Sequence, residues 1–130
     1  LELKKYYDMY LIDDAYNANP DGCNMAIDVL NMMPGKKIVI SSGMIELGDL
    51  SDEIHYNYGK YISNKVDEVI LIGKEQTSKI KAGLIDSNFK NDNIHVLNNV
   101  LDAFNLVHEL KGKETYILLQ SDLPDIFNEK

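Results

Sequence analysis

The chain holds one cysteine, Cys23, in 130 residues. A single thiol excludes a disulfide framework and a cysteine-based zinc site. His55, His95 and His108 fall in separate segments, so histidine supplies no metal motif either. Positive charge is scarce: 13 Lys and Arg stand against 21 Asp and Glu, a net charge of −8. That balance argues against nucleic acid or an anionic membrane as the main partner, and its plain effect is solubility. No apolar run is long enough to span a membrane, and no signal-peptide layout is present. Glycine fingerprints are missing as well. The chain has no G-x-G-x-x-G, which excludes the dinucleotide-binding signature. Gly43 and Gly48 have P-loop spacing, but Asp49 and Leu50 follow where a P-loop needs Lys and Ser or Thr. An aspartate there repels phosphate, so the chain has no phosphate cradle of its own.

What is present is an ordinary soluble composition, 45% hydrophobic and 26% charged. The length suits one domain, residues 1–130, with its own core. Five runs rich in Ile, Val, Leu and Tyr read as strands: Met9–Asp13, Lys37–Ser41, Asp67–Ile72, Ile94–Leu97 and Thr115–Leu119. The middle ones are nearly continuous in apolar residues, which suits strands covered on both faces. Helical stripes lie between them. Ala26, Ile27, Leu30 and Met33 form one, ended by Pro34-Gly35. Ile54, Tyr58, Tyr61 and Ile62 form a second, with Ser51 expected as its N-cap and Asp52 and Glu53 in the first turn. A third covers about Gln76–Ile85. Val100, Phe104, Val107 and Leu110 form the fourth, with Gly112 as its stop. Met25, Met32, Met33 and Met44 are expected to fill the core. Asp86–Asn93 is expected to be an exposed loop, and the tail from Gln120 a short strand or turn. The alternation predicts an α/β, doubly wound, mostly parallel sheet of five to six strands with helices on both faces.

Polar clusters fall at the C-terminal ends of the predicted strands: Asp13–Asn19, Ser42–Gly48, Gly73-Lys74 and Gln120-Ser121-Asp122. Topology brings these to one sheet edge, where open α/β sheets bind ligands. In the first cluster Asn19 suits a helix N-cap and Pro20 the first helical position. Asp13 and Asp14 point to opposite faces. Asp13 suits turn capping, and Asp14 either sits in water or serves a ligand, such as a metal-bound nucleotide or a lysine from elsewhere. Tyr16 is a packed aromatic or a base platform, and Asn17 and Asn19 stabilise the loop or bind. Glu46 is a surface, capping or ligand residue. His55, one residue from the Ile54 stripe, reads as packed or solvent-facing before it reads as reactive.

The run Asp13-Asp14-Ala15-Tyr16-Asn17-Ala18-Asn19-Pro20-Asp21 resembles the signature that opens the C-terminal domain of Mur ligases. The branch it resembles most adds D-alanyl-D-alanine to UDP-N-acetylmuramoyl-tripeptide. Ser42-Gly43-Met44-Ile45-Glu46-Leu47-Gly48 matches the family's Gly-Asp-Met-Leu-Glu-Leu-Gly, His55 and Gly59 match the next helix, and Val66–Gly73 matches a Val-Asp-x-Val-Ile-x-x-Gly pattern. The resemblance covers nearly the whole chain. It implies a Rossmann-like fold and a place as the last of three domains in a cytoplasmic, ATP-dependent amide ligase of peptidoglycan synthesis. The central domain of such an enzyme carries the P-loop, the magnesium ligands and a modified lysine; the N-terminal domain binds the UDP sugar. The C-terminal domain brings the incoming amino acid or dipeptide and closes over ATP.

On that resemblance Asp14, Tyr16, Asn17 and Asn19 lie on the ATP side. Glu46, His55, Gln120 and Ser121 are substrate-side candidates. ATP and Mg2+ are held mainly by the central domain, and the C-terminal domain alone is expected to be inactive. The start at Leu1, in a polar lead-in, fits an excised piece of a longer protein. Two positions depart from the family. Ser42-Gly43 replaces Gly-Asp, and Gln120–Asp125 replaces a Lys-Gly-Ser-Arg whose cations suit a dipeptide carboxylate. Two alternatives remain: a paralogue with a different acceptor, and a stand-alone α/β binding module. A small dehydrogenase is disfavoured by the missing glycine fingerprint.

Overall fold

A computed structural model describes residues 1–14 and 19–121. Six strands form one sheet: β1 Glu2–Tyr6, β2 Met9–Asp13, β3 Lys36–Ser41, β4 Glu68–Ile72, β5 Ile94–Leu97 and β6 Thr115–Gln120. Their spatial order is β1-β2-β6-β3-β4-β5. All pairings are parallel except β1 with β2, a hairpin in which Glu2 faces Asp13 and Tyr6 faces Met9. Strand β6 pairs with β2 on one side and β3 on the other, so the last strand of the described chain sits at the sheet's centre.

The helices are α1 Pro20–Asn31, α2 Ser51–Ile62, α3 Ser78–Asp86 and α4 Val100–Leu110. From β2 to β5 the chain advances in one direction across the sheet, and from β5 to β6 it runs back. Right-handed crossovers then require α1, α2 and α3 on one face and α4 on the other. The two cores agree. One joins Ala26, Ile27 and Leu30 of α1, Tyr58 and Ile62 of α2, and Ile80 and Leu84 of α3 to Ile12, Val39, Val69, Leu71 and Leu118. The second joins Ala103, Phe104 and Val107 of α4 to Met9, Leu11, Ile38, Ile40, Ile70, Ile117 and Leu119. Alternate residues of each strand serve the two cores, which is why the central strands read as unbroken apolar runs.

Helices α2 and α3 meet backbone to backbone at two glycines. A Cβ on Gly59 would stand 2.2 Å from the Ile80 carbonyl oxygen, and one on Gly83 would stand 2.1 Å from that of Tyr56. Polar ties flank this crossing. The Tyr56 hydroxyl donates to Asp86 at 2.6 Å, and the Tyr61 hydroxyl donates to Asp28 of α1 at 2.5 Å. At the sheet edge opposite the strands' C-terminal ends, the buried Glu68 carboxylate hydrogen-bonds His95 at 2.8 Å and forms an ion pair with the Lys36 ammonium at 3.3 Å.

The expected architecture holds, with five corrections. Strand β1 is an additional antiparallel edge strand in the stretch read as a lead-in; its Glu2, Leu3, Lys4 and Lys5 are exposed, so it carries no burial pattern. Ser51 is the first residue of α2 and not its cap: a 3-10 turn, Gly48–Leu50, runs straight into the helix, and Leu50 offers no capping side chain. Met25 and Met32 are exposed (66% and 74%), because they lie off the α1 stripe; Met33 and Met44 do pack against the core. The 86–93 segment is not simply a loop: Asp86 ends α3, Phe89 packs on the core and Asn91–Asn93 form a 3-10 turn. The predicted third helix begins at Ser78, two residues later than expected.

The glycine crossing is testable. Gly59→Ala should cost about 1–3 kcal/mol in urea unfolding, the usual penalty of overpacking. Gly112→Ala, whose Cβ would meet only the Lys36 side chain at 3.5 Å, should be nearly neutral. Equal losses for both variants would contradict the crossing.

Candidate functional site

The C-terminal ends of β2, β6 and β3 stay paired to their last residues. The Asp14 amide donates to the Leu119 carbonyl at 3.0 Å, and the Ser42 amide donates to that of Gln120 at 3.4 Å. Asp14, Gln120-Ser121 and Ser42 therefore stand in one row. Asp14, Gln120 and Ser121 are buried. Asn19 opens α1 as its N-cap, its Oδ1 accepting from the Gly22 amide at 2.7 Å, with Pro20 at the first helical position as expected. Asp13 faces the hairpin: its carboxylate takes the Lys4 ammonium at 3.2 Å across from β1. Tyr16 and Asn17 lie outside the described residues, as do Asp122–Asp125.

Beneath the row runs a polar clasp that the sequence did not reveal. The Gln120 side chain donates from Nε2 to the Cys23 carbonyl at 3.1 Å, and its Oε1 accepts from the Tyr58 hydroxyl. One amide thus ties β6 to α1 and α2. Burial pushes the Cys23 thiol up to about 11, and the nearby Asp14 carboxylate adds to the shift. Tyr58 is raised well above the ordinary phenol value, first by burial and then by Cys23 and Asp14, against a lowering contribution from the Gln120 hydrogen bond. Both groups are therefore neutral at pH 7. The only sequence signal for this clasp is Gln120 itself, an amide ending an otherwise apolar run. A groove of about 240 Å³ opens beside it, lined by Pro20, Asn24, Met44, Ile54, Asn57, Tyr58 and Tyr61.

The second rim segment, Ser42–Gly48, follows β3. The Gly43 amide donates to Ser41 Oγ at 3.1 Å, and the Met44 amide donates to His55 Nε2 at 2.8 Å. His55 is buried under this loop and does not reach its outer surface. Glu46 is exposed at the loop's outer side with φ +60, a conformation that an L-residue adopts only at a cost. The third segment turns at Gly73, φ +90, whose carbonyl accepts from the Thr77 hydroxyl at 2.6 Å; Lys74 beside it is exposed. The structure thus gathers Asp14, Gln120, Ser121 and the Ser42–Gly48 loop at one edge, places Asn19 at the start of α1, and puts His55 behind the loop.

Comparisons with known proteins agree with one another. The profile of the family described as Mur ligase, glutamate ligase domain, matches residues 1–122. The UDP-N-acetylmuramoyl-tripeptide–D-alanyl-D-alanine ligase of Bacillus subtilis is 32% identical over 114 residues, covering 85% of this chain and 24% of its own length. MurF from Acinetobacter baumannii superposes with a TM-score of 0.75 at 23% identity, covering 94% of this chain and 27% of that one. MurF from Thermotoga maritima, solved in complex with ADP, superposes with a TM-score of 0.70 at 23% identity, covering 92% and 26%. The chain spans about a quarter of the length of these relatives.

The clasp has an alkaline signature. Cys23 holds its proton more tightly folded than unfolded, so its stabilising contribution is complete below pH 9.0 and is lost as pH rises through about 11. Two pKa units correspond to at most about 3 kcal/mol. Wild type should therefore lose stability across that window more steeply than Cys23→Ala in urea titrations; parallel slopes would contradict the assignment.

Proposed function

This chain belongs to the Mur ligase family, as its glutamate ligase domain, and on that premise we propose that it is the C-terminal domain of an ATP-dependent amide ligase. The enzyme adds D-alanyl-D-alanine to UDP-N-acetylmuramoyl-tripeptide in peptidoglycan precursor synthesis. The observation that carries the reading is a polar edge at the ends of β2, β6 and β3 that lacks a phosphate cradle. Such an edge is incomplete alone and suits a domain that closes over a nucleotide bound elsewhere.

In the reaction the tripeptide carboxylate attacks the γ-phosphorus of ATP and ADP leaves. The dipeptide amine then attacks the acyl phosphate, inorganic phosphate departs and the amine proton is lost to a base. The central domain holds the triphosphate and Mg2+. Among the described residues no group of three or more His, Cys, Asp or Glu could hold a metal ion. The residue types of the first cluster suit a nucleotide. Asp14, Tyr16, Asn17 and Asn19 are a carboxylate, a phenol and two amides with no cation among them. That donor and acceptor set suits ribose hydroxyls and the base, and a carboxylate would repel phosphate. Glu46, exposed on the Ser42–Gly48 loop, offers a carboxylate to the incoming ammonium. Closure excludes water from the acyl phosphate and holds the amine in line, the two things a positioning domain can supply.

One observation favours a second reading, a paralogue with another acceptor. Gln120 stands where the family motif opens with a lysine, and its amide is occupied by Tyr58 and Cys23. The amide carries no charge, and its hydrogen bonds are already directed inward, away from a dipeptide carboxylate. No helix among the described residues is long and apolar enough to cross a membrane, and in this reading the enzyme works in the cytoplasm with its own N-terminal and central domains as partners.

Phosphate release by the ligase carrying this domain, given ATP, magnesium and UDP-N-acetylmuramoyl-tripeptide, should require D-alanyl-D-alanine. Release with a different amino acid or peptide, and not with this one, would favour the paralogue; no release with any acceptor, from folded protein that binds ATP, would overturn the ligase reading. In the same assay Asp14→Asn should lower kcat/KM by about 10²-fold, the scale of losing one charge-stabilising contact. Thermal unfolding should stay within a few degrees of wild type. Unchanged turnover would remove Asp14 from the site.

A further inference from the structure

The imidazole of His55 is bracketed by two backbone groups whose roles are fixed. The Met44 N–H can only donate, and it lies 2.8 Å from Nε2, so that nitrogen must present a lone pair. The Ser51 carbonyl can only accept, and it lies 2.7 Å from Nδ1, so that nitrogen must carry the proton. The Ser51 hydroxyl, 3.2 Å from the same nitrogen, is compatible with that tautomer. A second proton on Nε2 would confront the Met44 N–H.

The loop is also held by the Ser42 and Gly43 amides and by Met44 and Leu47 packing on the core, but the ring is what ties it to α2. Gly43, Glu46 and Gly48 all have positive φ, at +87, +60 and +61. A Cβ on Gly43 would lie 3.1 Å from His55 Nε2 and 3.3 Å from the Gln76 carbonyl oxygen, so the loop backbone is seated on the edge of the ring. Leu50 gives α2 no side-chain cap, and the helix start is held to the loop through Ser51 and His55. Glycine adopts a positive φ freely, so the strain is at Glu46, and it persists only where its surroundings hold it.

We infer that His55 is a positioning residue: as the neutral Nδ1–H tautomer it clamps the Met44 amide to the first turn of α2 and so sets the Ser42–Gly48 loop, with Glu46 on it, at the ligand edge. The clamp itself rests on hydrogen-bond geometry. Its consequence for turnover rests on the function proposed above. His55 thus serves the edge from behind and touches neither substrate nor nucleotide.

Nitrogen-15 spectroscopy of the 130-residue chain at neutral pH tests the clamp without any substitution. The proton should reside on Nδ1 of His55; an Nε2–H tautomer or an imidazolium overturns the proposal. Two variants then separate clamping from packing. The amide of His55→Gln reaches the Nε2 position and can still accept from Met44, whereas that of His55→Asn reaches only the Nδ1 position. Met44 amide exchange should quicken about tenfold or more in His55→Asn and stay within about threefold of wild type in His55→Gln. Equal exchange in the two variants overturns the clamp. In the ligase, kcat should fall about tenfold in His55→Asn and recover in His55→Gln, with KM for ATP little changed. Full turnover in His55→Asn, with the Met44 amide freed, overturns the loop's role. A wild-type ligase that turns over no dipeptide, combined with the predicted exchange pattern, sinks the proposed reaction and supports the clamp.

Discussion

The ligand-facing edge depends on where β6 inserts. Its parallel pairing with β2 and β3 continues through Asp13 opposite Leu119 and Ser41 opposite Gln120. The chain reaches this place only by crossing back over α4, after three crossovers in the opposite direction. That reversal puts the ends of a first, a middle and a last strand side by side. Residues far apart in sequence then share one row, and a side chain at the end of β6 can reach helices that follow both neighbours.

Gln120 uses that reach. A lysine there could donate to the Cys23 carbonyl, but it could not accept from the Tyr58 hydroxyl. An amide does both and stays neutral, in a layer where Cys23 and Tyr58 are also neutral. The acidic group of this layer is Asp14, whose proximity raises both of them. Among the described residues, the row at the ends of β2, β6 and β3 is polar and carries no cation; the nearest along the edge is the exposed Lys74 after β4. A domain made this way presents acceptors to a ligand that another domain holds.

Much of the fold was legible because its signals are local. Apolar runs marked β2 to β6, and stripes marked the four helices, since burial on both sheet faces leaves little choice of residue. Asn19-Pro20 marked the start of α1 because capping is settled within four residues. Strand β1 was not legible: it pairs through its backbone at an edge where Lys4 and Lys5 meet water. Met25 and Met32 misled because hydrophobic composition does not say which side of a helix a residue occupies. The family motif pointed to Asp14 and the Ser42–Gly48 loop, which lie at strand ends on either side of β6. The clasp escaped because its members lie 62 and 97 residues from Gln120 and meet only when the sheet closes. The role of His55 escaped for a different reason: its partners are near in sequence, at Met44 and Ser51, but the two that fix its tautomer are backbone groups that carry no residue signature.

The central claim is that the C-terminal ends of β2, β6 and β3 face the nucleotide. Hydrogen exchange on the ligase carrying this domain, with and without a non-hydrolysable ATP analogue and UDP-N-acetylmuramoyl-tripeptide, measures this directly. Closure should slow exchange in residues 13–19, 41–48 and 120–121 and leave the opposite edge, around Glu68 and His95, unchanged. Protection confined to that opposite edge, or absent from all three segments in protein that binds the analogue, would contradict the account.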